Sequence, residues 1–337
     1  MIDSLQLIFT PRGPLDDSFV RWVAWLVAGI IVGALLLNEV LVRTGVVGRQ
    51  LGSEIRRRTL SWAILAPAIG IAIVLGGGWT MLAVCLLSMV CWRELARATG
   101  VFREKLVSAA VVVTILAVLF ANLDHWPRLL LAAGPLGSAL VATVALVGDR
   151  PHGYLQRTAL GVFGVAFCAV GLGSLGFIAN DPDARPILVL LLLVTQLSDV
   201  SAYLCGKLFG RRLACPNISP RKTVEGAVGA LAVSTGLVVW LGPCVFPDTP
   251  LADRRTLVGI GLLLGALAQL GDLMLSAVKR DIGIKDLGTV IPGHGGLLDR
   301  FDSLVLTAPV YFHLVSYFRG IAVDQPTGLF TGAGAGD

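Results

Sequence analysis

Charge is scarce in this sequence. Only 15% of its 337 residues are Asp, Glu, Lys or Arg, whereas 55% are hydrophobic. A soluble domain carries roughly 25% charged and about 45–50% apolar residues, so a water-facing globule is excluded as the main architecture. The mean hydropathy of +0.80 points instead to a bilayer as solvent. The six cysteines (Cys85, Cys91, Cys168, Cys205, Cys215 and Cys244) include no CxxC pair. Most lie in or beside apolar runs, which favours free, buried thiols over disulfides or a zinc site. The opening stretch MIDSLQLIFTPRGPLDD lacks a basic start followed by an apolar core and a small-residue cleavage site, so no cleavable signal peptide is expected. No HExxH, GxSxG, Walker-type or Rossmann pattern competes for the reading of function. No internal repeat with a period of roughly 20–50 residues is evident.

What the sequence does contain is a succession of apolar runs. Ten can be read, over residues 18–42, 59–75, 77–92, 106–122, 128–148, 158–179, 185–204, 223–246, 256–278 and 303–319. Most approach the ~20 residues a helix needs to cross a bilayer. A backbone exposed to lipid must satisfy its own hydrogen bonds, so these runs are helices. The expected fold is therefore all-α, a polytopic transmembrane bundle of about ten spans. The second and third runs form a hairpin around Gly76–Gly78.

Lys and Arg are divided unevenly between alternate connections. Residues 43–58, 93–105, 149–157, 205–222 and 279–302 hold five, four, two, five and four of them, or 20 of 27. The other side holds Arg12, Arg21, Arg128, Arg185, Arg254, Arg255 and Arg319. By the positive-inside rule the first set is cytoplasmic and both termini lie outside. The expected organisation is N-terminal membrane helices over 1–180, a C-terminal catalytic membrane region over 181–320, and a flexible, Gly-rich tail over 321–337. A bacterial cytoplasmic membrane suits the short loops.

Two cytoplasmic segments concentrate the polar chemistry. The first, TQLSDVSAYLCGKLFGRRLACPNISPRKTVEG, runs from Thr195 to Gly226. Asp199 lies in an otherwise apolar helix, where an unpaired charge costs about 2.5–3.5 kcal/mol on insertion scales. Tyr203, four residues on, shares its face. Lys207, Arg211, Arg212, Arg221 and Lys222 follow, with Ser219 and Thr223 bracketing the SPRKT turn and Glu225 opening the next helix. The arginines alone suit topology or contact with anionic lipid equally well. Carboxylates at membrane depth call for more.

In the second segment Asp272, Ser276, Lys279 and Arg280 stand at i, i+4, i+7 and i+8, on one helical face. The turn PGHGG (Pro292 to Gly296) follows, then DRFD, in which Asp299 and Asp302 face one way if a helix has begun. Asp272, Asp299 and Asp302 supply oxygen ligands of the kind a hard divalent cation needs. Lys279, Arg280 and Arg300 suit phosphate oxygens, and glycines allow close backbone approach to them. Together these parts suit metal-assisted chemistry on phosphates. Plainer alternatives stay open: a surface Asp299–Arg300 pair, an internal Asp272–Lys279 pair, and His294 as a hydrogen-bonded loop residue. So does a transporter that uses Asp199 and Asp272 as an intramembrane cation site.

Ser276 to Asp302, SAVKRDIGIKDLGTVIPGHGGLLDRFD, resembles the signature of the phosphatidate cytidylyltransferases, also called CDP-diacylglycerol synthases. Ser276, Lys279-Arg280, Lys285-Asp286, Gly288, His294-Gly295-Gly296 and Asp299-Arg300 with Asp302 match it throughout. SDVSAYLCGKLFG and SPRKTVEG resemble its upstream elements, with Val224 in place of the usual aromatic residue. The N-terminal third is longer than a minimal member needs, which leaves a paralogue with another acceptor lipid open.

The resemblance implies a membrane nucleotidyltransferase that joins CTP to phosphatidic acid, releasing pyrophosphate in phospholipid biosynthesis. It also implies a cation centre of Mg²⁺, with room for a second, monovalent cation, built from Asp272, Asp299 and Asp302. Ser276, Lys279 and Arg280 would act with Asp299 in catalysis. Asp199, Tyr203, Ser219, Lys222, Thr223, Glu225, Lys285, Asp286, His294, Gly295, Gly296 and Arg300 would bind substrate. No nucleic-acid partner is expected. Lipid-facing small residues suit either a homodimer or tight packing between helices.

Overall fold

Apolar stretches that cannot leave backbone groups unpaired in lipid become helices, and the chain is built almost entirely of them. The computed structural model of the chain describes residues 9, 17–45, 48–247, 249–288, 295–320, 328 and 331, without the side chains of residues 51, 54 and 58. Among the described residues, nine helices are long and apolar enough to cross a membrane. They are α1 (Ser18–Arg43), α2 (Arg49–Leu75, apolar from Ile55), α3 (Gly77–Thr99), α4 (Lys105–Leu123), α5 (Pro127–Val144), α6 (Tyr154–Ile178), α7 (Ala184–Phe209), α8 (Val224–Val245) and α9 (Arg254–Asp281). The division expected at Gly76–Gly78 falls between Leu75 and Gly77.

The tenth expected span is different. It comprises one turn, α10 (Leu298–Phe301), and then α11 (Leu304–Arg319), a helix of 16 residues. At 1.5 Å per residue, 16 residues reach about 24 Å, short of a hydrocarbon core of about 30 Å. Leu304, Val305, Ala308, Tyr311, Phe312 and Val315 of α11 are all buried. This helix is sunk among α6, α7 and α9. By contrast α1 and α2 are scarcely covered and turn Trp25, Leu36, Leu37, Ile64 and Ile71 outward, as lipid-facing helices do. Their outward residues extend the apolar belt that the composition predicts, and the protein is an integral membrane protein.

Polar contacts sort the connections into two ends. At one end, Arg157 lies 3.9 Å from Glu104, and Glu94 meets the segment after α9. At the other, Arg319 bonds Asp181 and Asp183, and Arg185 donates to the Val74 carbonyl. The sequence alternation of basic and non-basic connections follows the same grouping. All six cysteines are free. Of the tail, only Gly328 and Thr331 are among the described residues. Both hydrogen-bond Asp124, so the expectation of a flexible tail falls otherwise outside them.

Residues 205–222 are more ordered than a loop reading implies. β1 (Leu213–Cys215) and β2 (Ser219–Thr223) pair antiparallel, with Leu213 opposite Thr223 and Cys215 opposite Ser219. Pro216 and Asn217 supply the turn chemistry. The Thr223 hydroxyl then caps α8 by accepting from the Gly226 amide at 3.1 Å. Glu225 reaches back, and its carboxylate accepts from the amides of Arg211 and Arg212 at 3.1 and 3.2 Å. Helix α9 starts on an Asp253 cap and ends in a Schellman turn. There Gly283, at φ +70°, donates to the Arg280 carbonyl and Ile284 donates to that of Lys279.

Candidate active site

The polar residues gather where the end of α7, the hairpin, α9 and the segment around α10 meet. Gly271 is what permits the approach. A Cβ there would lie 2.6 Å from the Asp302 carbonyl oxygen, so the residue before Asp272 has to lack one. The Asp272 and Asp302 carboxyls are thereby in hydrogen-bond contact. Asp199 joins them through Ser303, whose hydroxyl donates to Asp199 at 2.8 Å and lies 3.4 Å from Asp302. The Gln269 amide donates to the other Asp199 oxygen at 3.5 Å.

Two cations frame this acidic group. Lys222 Nζ reaches across from β2 to Asp272 at 2.8 Å, with the Gln269 side chain at 3.3 Å. Lys279 bears on both Asp272 and Asp302 electrostatically. Burial, with the Asp272 and Asp199 carboxylates alongside, raises the Asp302 carboxyl well above the ordinary carboxylate range. Ser276 donates to Asp272 at 3.2 Å. Arg300 lies within electrostatic reach of Asp199.

Asp299 is turned elsewhere. One of its oxygens takes Lys279 Nζ at 2.9 Å, and the other accepts from the amides of Leu287 and Gly296 at 2.8 and 2.9 Å. The described hydrogen bonds of Asp299 go to Lys279 and these two amides, and none of them joins it to Asp272 or Asp302. Among the described residues no group of three or more His, Cys, Asp or Glu side chains is arranged to hold a metal by itself.

The remaining expected residues take several positions. Arg280 is exposed and ties α9 to the hairpin through the Ile218 carbonyl at 3.3 Å. Ser219 and Thr223 bound β2, beside Lys222. Lys285 and Asp286 are exposed. Gly295, at φ +78°, and Gly296 carry the chain into α10, while His294 lies outside the described residues. Tyr203 is 65% exposed, with Lys207 Nζ 5.8 Å from its ring centre, and so sits apart from the carboxylates. Three participants escaped the sequence reading: Gln269, Ser303 and Glu94. Gln269 precedes Asp272 by three residues and so shares its face. Ser303 directly follows DRFD. Glu94 reads as the start of a solvated connection, because helix α3 runs further than its apolar run suggests.

The comparisons agree with the geometry. Residues 56–318 match the cytidylyltransferase family model, and every residue of the cluster falls within them. Phosphatidate cytidylyltransferase of Staphylococcus haemolyticus is 34% identical over 259 residues, which is 75% of this chain and 96% of that relative. The enzyme of the same name from Staphylococcus aureus (strain COL) is 31% identical over 258 residues, again 75% and 96% of the two chains. The uncharacterized protein YnbB of Escherichia coli (strain K12) is 32% identical over 309 residues, 90% of this chain and 99% of its own. With the family match spanning most of the chain and the cluster inside it, the chain belongs to the cytidylyltransferase family and is a membrane-embedded nucleotidyltransferase.

Proposed function

We propose that the protein converts CTP and phosphatidate to CDP-diacylglycerol and pyrophosphate, with its active site at the cytoplasmic face of a bacterial inner membrane. The observation that carries this reading is the meeting of Asp199, Asp272 and Asp302 with Lys222 at the polar end of an apolar bundle. Membership of the cytidylyltransferase family and the named activity of the staphylococcal relatives support it. The donor set fits Mg²⁺. Two touching carboxyls with a third nearby repel one another when ionised, which favours a further cation there, and their donors are all oxygen. Mg²⁺ commonly binds through one or two carboxylates and completes its shell with substrate phosphates and water, so Asp272 and Asp302 suffice on the protein side. When bound there, it would neutralise phosphate charge.

A lipid phosphate oxygen attacks the α-phosphorus of CTP in line. The new O–Pα bond forms as the bond from Pα to the bridging oxygen breaks, and pyrophosphate leaves with that electron pair. The nucleophile is already an anion, so no strong general base is needed. Lys222 is placed to exchange Asp272 for a phosphate, and Arg280, exposed beside the hairpin, would neutralise phosphate charge. Catalysis then comes from positioning and charge neutralisation.

The test uses purified protein in lipid–detergent micelles with radiolabelled CTP, phosphatidate and Mg²⁺. The expected result is a lipid-soluble cytidine product that requires both phosphatidate and Mg²⁺ and disappears in Asp302→Asn. Product formed only with a different lipid phosphate would reassign the acceptor. Absence of CTP binding would end the cytidylyltransferase reading of substrate.

A further inference from the structure

Glu94 is a carboxylate inside an apolar bundle, only 5% exposed, on the N-terminal half of the chain. Its neighbours in α3 include Cys91, Trp92, Leu95 and Ala96, all buried. Burying such a group without hydrogen bonds is costly, and here the bonds come from more than 200 residues away. One Glu94 oxygen accepts from the Leu297 amide at 2.9 Å and the other from the Leu298 amide at 2.8 Å. These are the residues directly before Asp299. The opposing backbone is shaped to receive the carboxylate. A Cβ on Gly288 would lie 2.6 Å from one Glu94 oxygen, and one on Gly296 would lie 2.5 Å from the other. Two glycines of the sequence signature thus stand where Glu94 leaves no room for a side chain.

Asp299 does the same work from the other side. It binds the amides of Leu287 and Gly296 while paired with Lys279. Asp299 therefore holds Leu287 and Gly296, and Glu94 holds Leu297 and Leu298 from the N-terminal half of the chain. One helical turn after the gripped amides comes Asp302, which touches Asp272. The amide positions at Leu297 and Leu298 therefore fix where Asp302 stands.

We propose that Glu94 is a positioning residue for the reaction: its carboxylate clamps the Leu297 and Leu298 amides against α3 and so sets Asp302 relative to Asp272. This rests on the reaction proposed above. It implies that the N-terminal helices are part of the catalytic apparatus and not only a membrane anchor. Among the described residues the Glu94 hydrogen bonds go to backbone amides, and it acts through the segment it holds.

Glu94→Gln tests this most cleanly, because it preserves shape while replacing one amide acceptor with a donor. Two readouts are taken on the full-length protein: turnover of CTP with phosphatidate, and amide hydrogen exchange over 295–301 in protein without nucleotide. Glu94→Gln is expected to lose exchange protection over 295–301, with α4 exchanging as before. Turnover should fall about 10²-fold, the scale of a 1 Å misplacement, and Glu94→Asp should recover part of it. Wild-type protection and turnover within two-fold in Glu94→Gln would overturn the proposal. If Glu94→Gln does not fold, Gly296→Ala decides, since its methyl group displaces the carboxylate from the loop side. The same two losses support the clamp, and unchanged behaviour overturns it. Should wild-type protein make no CDP-diacylglycerol, the proposed reaction falls, and the exchange comparison still decides whether Glu94 holds the segment.

Discussion

Two lysine–aspartate pairs stand about two turns of α9 apart, and they differ in almost everything except chemistry. Lys222 meets Asp272 at 2.8 Å with side chains 20% and 28% exposed. Lys279 meets Asp299 at 2.9 Å with side chains 11% and 4% exposed. The first pair joins a hairpin to a helix, opens to solvent and borders two further carboxylates. The second is closed, and its aspartate also accepts two backbone amides. An open pair beside surplus negative charge can exchange partners for a phosphate and a cation. A closed pair with its acceptors filled cannot do so without unfolding its loop. The contrast teaches that Asp272, which touches Asp302 of the DRxD motif, and Asp299 of the same motif need not share one task.

Breaking the open pair should give the largest effect on turnover. Asp272→Asn removes the charge that would meet both Lys222 and a cation, so cytidylyl transfer is expected to fall about 10³-fold or more, the upper range for losing one electrostatic stabiliser. Because the pair is part-exposed, stability should move by about 1 kcal/mol or less. Product formation and thermal melting of the same preparation check both halves. A loss of activity explained entirely by unfolding would erase the distinction between the pairs.

The closed pair should respond in the opposite sense. Asp299→Asn leaves Lys279 buried without its partner and weakens the grip on Leu287 and Gly296. Breaking a buried pair costs about 3–5 kcal/mol, read as a lower denaturation midpoint and lost exchange protection around residue 296. Its turnover, measured on the folded fraction, should exceed that of Asp272→Asn. Equal turnover in the two variants would return Asp299 to the cation site.

A smaller effect is expected next to the open pair. Thr223→Ala removes the hydroxyl that caps α8, at about 0.5–2 kcal/mol for a typical cap. Lys222 is the preceding residue, so its reach to Asp272 loosens, and kcat/KM should fall by less than about ten-fold, in keeping with a partner that can readjust. A loss as large as that of Asp272→Asn would show that the open pair is as rigid as the closed one.

How much of this was legible in the sequence depends on the range of the contacts. Asp272, Ser276 and Lys279 share a helix, so spacing alone placed them on one face, and the Ser276–Asp272 bond follows. Nine of ten apolar runs emerged as membrane-length helices because hydropathy and backbone pairing act locally. The tenth fell short because α11 is apolar for burial in protein, which composition does not distinguish from burial in lipid. The orientation of Asp299 was beyond spacing. It depends on the amide of Leu287, twelve residues earlier, and on that of Gly296, which spacing alone does not bring together. Glu94 was further still, since nothing near it signals that two glycines some 200 residues on leave space for a carboxylate.

Tyr203 gives the smallest expected effect and tests the comparison from outside both pairs. Four-residue spacing put it on the face of Asp199, yet Asp199 turns to Ser303 and Gln269 while Tyr203 is largely exposed. On a helix of 3.6 residues per turn, a four-residue step advances the face by about 40°. At the rim of a bundle that is enough to carry a side chain from the polar interior towards lipid. Its ring lies beside Lys207, not beside the carboxylates, and an amphipathic aromatic at a membrane–water boundary is a common anchor. Tyr203→Phe keeps the ring and removes only the hydroxyl, so KM for CTP and turnover should both stay within about two-fold, as for surface changes away from a site. A ten-fold rise in KM would place the nucleotide against the outer face of α7, and the open pair would then be the edge of a larger pocket.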